Sequence, residues 1–236
     1  VASEINTFSS LIDTCLARAN RFDRLNDIIS YARLTVREIQ SLGQFQQDVI
    51  EDQISGVTVD PYVWLTPAAF RAMLSVQYNN ISDEQGNPIY AKYKELGKGQ
   101  LREEYYYYRS GDSHVFVGHD GRSGGAIAIN IAYLEYSRSF QYFATQATRP
   151  AIYDDVTETW IYEASYDLDA TTRETARRLV SNWVLFNWFD VIIEGTLAKV
   201  YKLVDDSRAG ASFSFFERQK RVIQSGETTA YTGFNR

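Results

Sequence analysis

The 236-residue sequence holds one cysteine, one methionine, two histidines and four prolines. A single thiol, Cys15, cannot form an internal disulfide, so the chain is not an oxidised, disulfide-stapled scaffold. No run approaches twenty apolar residues, so no bilayer-spanning helix is expected. The opening Val1-Ala-Ser-Glu-Ile-Asn6 lacks the basic and apolar regions of a signal peptide, and none is expected. Basic residues are outnumbered, 24 Lys and Arg against 30 Asp and Glu, for a formal charge of −6. Such a chain is a poor candidate for tracking a phosphate backbone. What is abundant is aromatic: 17 Tyr, 13 Phe and 4 Trp. That content excludes a disordered chain. It also exceeds what one core needs, because each tyrosine hydroxyl must find a partner or water. Tyrosine collects at contact surfaces for the same reason, which points to a protein with much interface.

The first forty residues carry helical periodicity. Phe8, Leu11, Ile12, Cys15, Leu16 and Ala19 fall on one face, with Asn6 or Thr7 as the cap. After Asn20-Arg-Phe-Asp23, with Asp23 as the expected second cap, Leu25, Ile28, Ile29, Ala32, Val36 and Ile39 repeat the spacing as far as Gly43. The period then changes. Val57–Val59, Tyr62–Trp64, Glu104–Arg109, His114–Val117 and Ile127–Tyr136 read as strands, the last two as a hairpin about the glycine-rich turn 118–125. Trp160–Tyr162 adds an edge. Pro67 is expected to open one or two helical turns over Ala68–Leu74. Helical signal returns at Ala170: Ala176, Leu179, Val180 and Trp183 share a face. Val191, Ile192, Ile193, Leu197, Val200, Tyr201 and Val204 define a helix apolar on much of its circumference, hence central. Asp205-Asp206-Ser207 breaks it before a final stripe of Ala209, Phe213, Phe216 and Ile223.

The expected fold is therefore α+β. Residues 1–43 form an N-terminal helical hairpin and residues 170–224 complete a helical bundle with it. Residues 44–169 form a β-rich insert, and 225–236 an extended tail without period.

Signals for chemistry are weak. His114 and His119 near Asp112 and Asp120 are suitable ligand types, but a strand and its turn account for them, and no metal site is assigned. The glycine-rich segment lacks the Lys-Ser/Thr of a phosphate loop and is followed by a strand, so it reads as a turn and no cofactor is expected. Cys15 lies on a buried stripe and reads as a packing residue. The acids Asp154, Asp155, Glu158 and Glu163, with Asp167 and Asp169 and no base among them, have three readings. They form a solvated face, an acidic patch for a basic partner, or a carboxylate pair for glycoside hydrolysis with Trp160 stacking on sugar. Basic residues on the helices are interleaved with acids, as on an ordinary surface.

Four segments together resemble the head-to-tail adaptor (connector) proteins of short-tailed bacteriophages. These are Ile28-Ile-Ser-Tyr-Ala-Arg33 with Val36-Arg-Glu-Ile-Gln40; Pro67-Ala-Ala-Phe70-Arg71; the strand Ile127–Tyr136; and Phe189-Asp-Val-Ile-Ile-Glu-Gly-Thr-Leu-Ala-Lys199 with Leu203-Val-Asp-Asp206 and Phe216-Glu-Arg218. The segment Gln44-Phe-Gln-Gln47 is less aromatic than in that family, and the middle region is longer. The resemblance implies a non-enzymatic virion protein of the neck or tail, made in the host cytoplasm. It implies a dodecameric ring beneath the portal that seats tail nozzle or fibre proteins and continues the channel through which genomic DNA passes. It implies a portal-binding C-terminal end, here with Tyr231, Phe234 and Arg236 as anchors. The acids Asp154, Asp155, Glu158 and Glu163 become candidates for the channel lining or a partner face, where negative charge lets DNA slide. Tyr105–Tyr108, Trp160 and Tyr162 are further interface candidates. The rival readings are a carboxylate-dependent glycoside or peptidoglycan hydrolase of the tail and another oligomeric capsid or tail component.

Overall fold

In the computed structural model, residues 6–57, 61–82, 88–96, 105–117, 127–138, 140, 142, 151–154, 159–162 and 180–233 are described. The helices are α1 (Phe8–Ala19), α2 (Leu25–Gln40), α3 (Trp183–Leu203) and α4 (Ala209–Gly233). The strands are β1 (Val49–Val57), β2 (Tyr62–Leu65), β3 (Phe70–Ser82), β4 (Pro88–Lys92) and β5 (Lys94–Glu95), then β6 (Tyr106–Ser110), β7 (Ser113–Val117), β8 (Ile127–Glu135), β9 (Ala151–Asp154) and β10 (Thr159–Tyr162). Helices and mainly antiparallel sheets make this an α+β chain. It divides into two compact units, Val1–Gln47 with Ser137–Arg236, and Asp48–Tyr136.

In the helical unit, α1 starts where expected. Thr7 is the cap: the Ser10 backbone N–H donates to its Oγ1 at 3.1 Å, and its own N–H donates to Ser10 Oγ at 3.0 Å. The stripe Phe8, Leu11, Ile12, Cys15, Leu16 and Ala19 is buried. The helix stops at Asn20, which takes the left-handed conformation at φ 53°. Asp23 does not cap α2, because its carboxylate is taken by the Arg21 guanidinium through two contacts of 2.9 Å. Arg21 holds the Asp23 carboxyl down at about 2. The expected α2 stripe is buried from Ile28 to Ile39, with Leu25 half-buried beside it, and the helix ends at Gln40, short of Gly43. Helix α3 is capped by Asn182, whose side chain accepts from Leu185 N–H at 3.0 Å. It packs against α1, α2 and α4, in keeping with its nearly continuous apolar surface. At Trp188 the backbone leaves helical geometry (φ −133°, ψ 39°), where the indole packs on Phe45 and Trp183.

The strand unit holds two four-stranded sheets, ordered β1-β8-β3-β4 and β2-β7-β6-β5, antiparallel except for the short β5–β6 pair. Both sheets contribute to one core of Val57, Trp64, Val76, Tyr93, Tyr107, Phe116, Ile129, Ile131 and Tyr133.

Several expectations are corrected. Ala68–Leu74 is not helical: β3 begins at Phe70, because β8 offers it a long antiparallel ladder that outweighs the local helix propensity of Ala and Leu. His114–Val117 and Ile127–Tyr136 do not form a hairpin. Strand β7 lies between β2 and its local hairpin partner β6, and β8 between β1 and β3, so the two do not pair with each other. Strand β10 is no edge of that sheet and pairs only with β9 among the described residues. The compact strand unit ends at Tyr136, not at 169, because Phe140 and Tyr142 are buried in the helical core, Phe140 edge-on to Phe8 at 5.5 Å. Residues 225–233 are not extended. They continue α4, since no proline interrupts the segment and Gly226 alone costs only about 1 kcal/mol. Ala176 and Leu179 lie outside the described residues.

Candidate interaction surfaces

Two of the four segments that carry the adaptor resemblance, those on α2 and on α3 with α4, meet at the joints of the helical unit, and the other two lie in the strand unit. The first joint is at Gly195 of α3. A methyl group there would sit 2.6 Å from Thr35 Cγ2 on α2 and 2.7 Å from the Phe216 ring on α4, so only hydrogen allows three helices to approach. Beside it, Lys199 Nζ donates to Thr35 Oγ1 and lies 3.1 Å from Glu38 Oε2, with the Phe216 ring centroid 4.9 Å away. Lys220 approaches the same ring at 5.3 Å and pairs with Glu217 at 2.9 Å. Phe216, the start of the Phe-Glu-Arg motif, is thus the anchor of α4, held by packing and by cations at its face.

The second joint is the Asp205-Asp206 break. Asp205 takes φ 55°, and the Arg208 guanidinium binds Asp206 at 2.8 Å, holding its carboxyl down at about 2. Arg208 also donates to the Arg18 carbonyl at 3.1 Å, and Tyr201 Oη donates to the same oxygen at 3.3 Å. A carbonyl left open at the end of α1 is thereby satisfied from α3 and the loop after it. Arg18 in turn pairs with Glu194 at 3.0 Å. Cys15 is buried among these helices, and burial pushes its thiol up to about 12, so it stays protonated at neutral pH.

Helix α4 places Phe216 and Ile223 in the core and leaves Phe213 and Val222 exposed. Past Ile223, Gln224, Ser225 and Gly226 are exposed while the helix continues to Gly233. Tyr231 lies on this last stretch; Phe234 and Arg236 lie outside the described residues. Of the acidic candidates, Asp154 ends β9, and Asp155, Glu158 and Glu163 lie outside the described residues. Trp160 and Tyr162 lie on β10.

The tyrosine run divides between core and surface. Tyr107 is buried against Phe116, whereas Tyr106 and Tyr108 stack on each other at 6.4 Å on the opposite face of β6. Burial raises the Tyr107 phenol to about 12, with the Glu95 charge adding to the effect. The sequence reading missed the exposed pair Val63 and Leu65 on β2. Its only signal was a strand, Tyr62-Val-Trp-Leu65, with apolar residues on both faces and no charge.

His114 is buried in a ring of aromatic side chains, 5.0 Å from Phe70 and 5.8 Å from Trp64 between centroids, with Thr66 Oγ1 3.0 Å from Nδ1. Burial lowers its pKa, the Arg109 charge lowers it further, and Glu95 opposes both. His119 lies outside the described residues. Among the described residues no group of three His, Cys, Asp or Glu is placed to hold a metal ion. Arg71, from the Pro-x-x-Phe-Arg motif, binds buried Asp48 at 3.0 Å and lies over the Tyr136 ring at 5.8 Å. It therefore ties together the two ends of the strand unit.

No family model matches the chain, and no curated protein matches it significantly. Among the described residues no helix is long and apolar enough to cross a membrane.

Proposed function

We propose that this chain is a subunit of a head-to-tail adaptor ring in a short-tailed bacteriophage. Its N- and C-terminal helices form a bundle, and the strand unit is an insert in it. Twelve copies sit beneath the portal, seat the tail nozzle or fibre proteins and continue the DNA channel.

The observation that carries this reading is α4. One part of the helix is anchored through Phe216 and Ile223, and the helix then continues to Gly233, past the last core residue it contributes among those whose side chains are described. A helix stabilised by tertiary contacts at one end can present its other end to a partner without unfolding its base. Tyr231, Phe234 and Arg236 are the proposed portal anchors on that end. Supporting this, the contacts around Gly195 and Asp206 tie the base of α4 to α1, α2 and α3. The net charge of −6, repeated around a ring, lets DNA pass without adhering.

Native mass spectrometry of the chain with and without the portal protein tests the proposal. Rings are expected only with the portal, and removing 225–236 is expected to abolish docking while the helical core remains folded. Docking that survives this truncation would reject the C-terminal end as the portal contact. A full chain that ignores the portal would reject the adaptor role.

A further inference from the structure

Among the described residues, four strands lie at the edges of the two large sheets: β1, β4, β2 and β5. Open edges invite pairing, and proteins guard them with charge, proline, bulges or shortness. Strand β1 carries exposed Glu51 and Asp52 and a bulge between Ile54 and Val57, with Gly56 at φ 73°. Strand β4 opens with Pro88 and ends with Lys92. Strand β5 is two residues long, Lys94-Glu95. Strand β2, Tyr62-Val-Trp-Leu65, carries no charge, proline or bulge within its four residues.

Its outer face is also the wrong kind for water. Val63 is 57% exposed and Leu65 74%. The register sets Val63 beside Val115, and Val115 beside Tyr108, while Tyr106 lies beside Val117. Leu65 lies beside Ser113, and Ser113 beside Ser110. No charged residue falls on this face of β2, β7 and β6.

The direction of the main-chain groups specifies what fits. Thr66 N–H donates to the Asp112 carbonyl at 2.9 Å, on the β7 side. Main-chain groups alternate along a strand, so Tyr62 and Trp64 also turn theirs to β7, and Val63 and Leu65 turn theirs to the open edge. We propose that two copies of the chain pair through β2, antiparallel, about a two-fold axis at Trp64. Val63 of each copy then exchanges N–H to O=C bonds with Leu65 of the other, and the four aliphatic side chains meet on the shared outer face. A register centred on Val63 fails, because it sets Leu65 opposite Pro61, which has no N–H. A one-residue slip from either register would set outward faces against inward ones.

A second copy is the occupant because the strand complements itself in this register and brings no like charges together, in a chain of net charge −6. A two-fold contact closes on itself. The pair therefore describes the isolated chain and stands apart from the ring proposed above.

The test is light scattering of the full chain over a concentration series, together with residue-resolved hydrogen exchange. A dimer is expected, and Leu65→Lys or Val63→Lys is expected to weaken it by about tenfold or more. Because both side chains are exposed, the variants retain the fold, which circular dichroism checks. Ile50→Lys on β1 should leave the dimer unchanged. The amides of Val63 and Leu65 should gain protection with concentration, while those of Trp64 and Thr66 are protected throughout. A chain that stays monomeric at submillimolar concentration would overturn the proposal. So would a dimer indifferent to both lysine variants, or exchange at Val63 and Leu65 independent of concentration.

Discussion

The two units solve the same problem with different materials. The helical unit buries mainly aliphatic stripes, Leu11, Ile12, Ile28, Ile29, Val36, Ile192 and Val200 among them, and brings three helices together over a single glycine. The strand unit buries rings: Trp64, Tyr93, Tyr107, Phe116 and Tyr133. In the first, stability depends on how closely backbones approach. In the second, it depends on large side chains whose polar ends must be satisfied. The contrast assigns part of the aromatic excess to a core, although its tyrosines first suggested an interface.

Substitutions can be chosen to act on one unit at a time. The largest effect is expected from Phe116→Ala, which empties the centre of the strand unit and should cost about 4 kcal/mol. Chemical denaturation would report it, and protection of the single thiol Cys15 in the helical unit should stay unchanged. Loss of that protection would mean that the two cores are not separate. Asp48→Ala leaves the Arg71 guanidinium buried without its carboxylate and should cost about 3 kcal/mol. Gly195→Ala should cost the helical unit about 2 kcal/mol, because Thr35 and Phe216 must both give way. It should also speed alkylation of Cys15, whose buried thiol reacts only when the helices open.

The smallest effect is a pH dependence confined to the strand unit. The folded pKa of His114 lies below its ordinary value of 6.5. The unfolded chain therefore takes up a proton first as pH falls. The His114 contribution is complete above about 6.5 and is lost as pH drops from there through the lower folded value. In a His114→Gln variant, which removes the titrating ring, this component of the stability profile should vanish. An unchanged profile would reject the assignment.

Helical elements were the most legible part of the sequence. Thr7 and the stripes of α1 and α2 follow from local spacing, and the Asp205-Asp206 break from local turn chemistry. Most strand pairing was not legible: β7 and β8 are neighbours in sequence but do not pair, and although β6–β7 is a local hairpin, β2–β7, β1–β8 and β3–β8 join segments far apart in the chain. Phe70–Leu74 misled for the same reason: its partner β8 lies more than fifty residues away. The end of α4 was missed because a helix can extend past its apolar stripe. Of the candidate site, the helical family motifs pointed to residues at the joints of the helical unit, and Arg71 of the Pro-x-x-Phe-Arg motif to a tie between the ends of the strand unit. The exposed edge β2 gave almost no signal, since a strand buried on both faces reads the same.

The adaptor role is tested most directly by the mass of the complex formed when the full chain meets the portal protein. A portal ring carrying twelve copies is expected, with none retained when 225–236 is absent. A portal that binds no copies of the full chain would contradict the account.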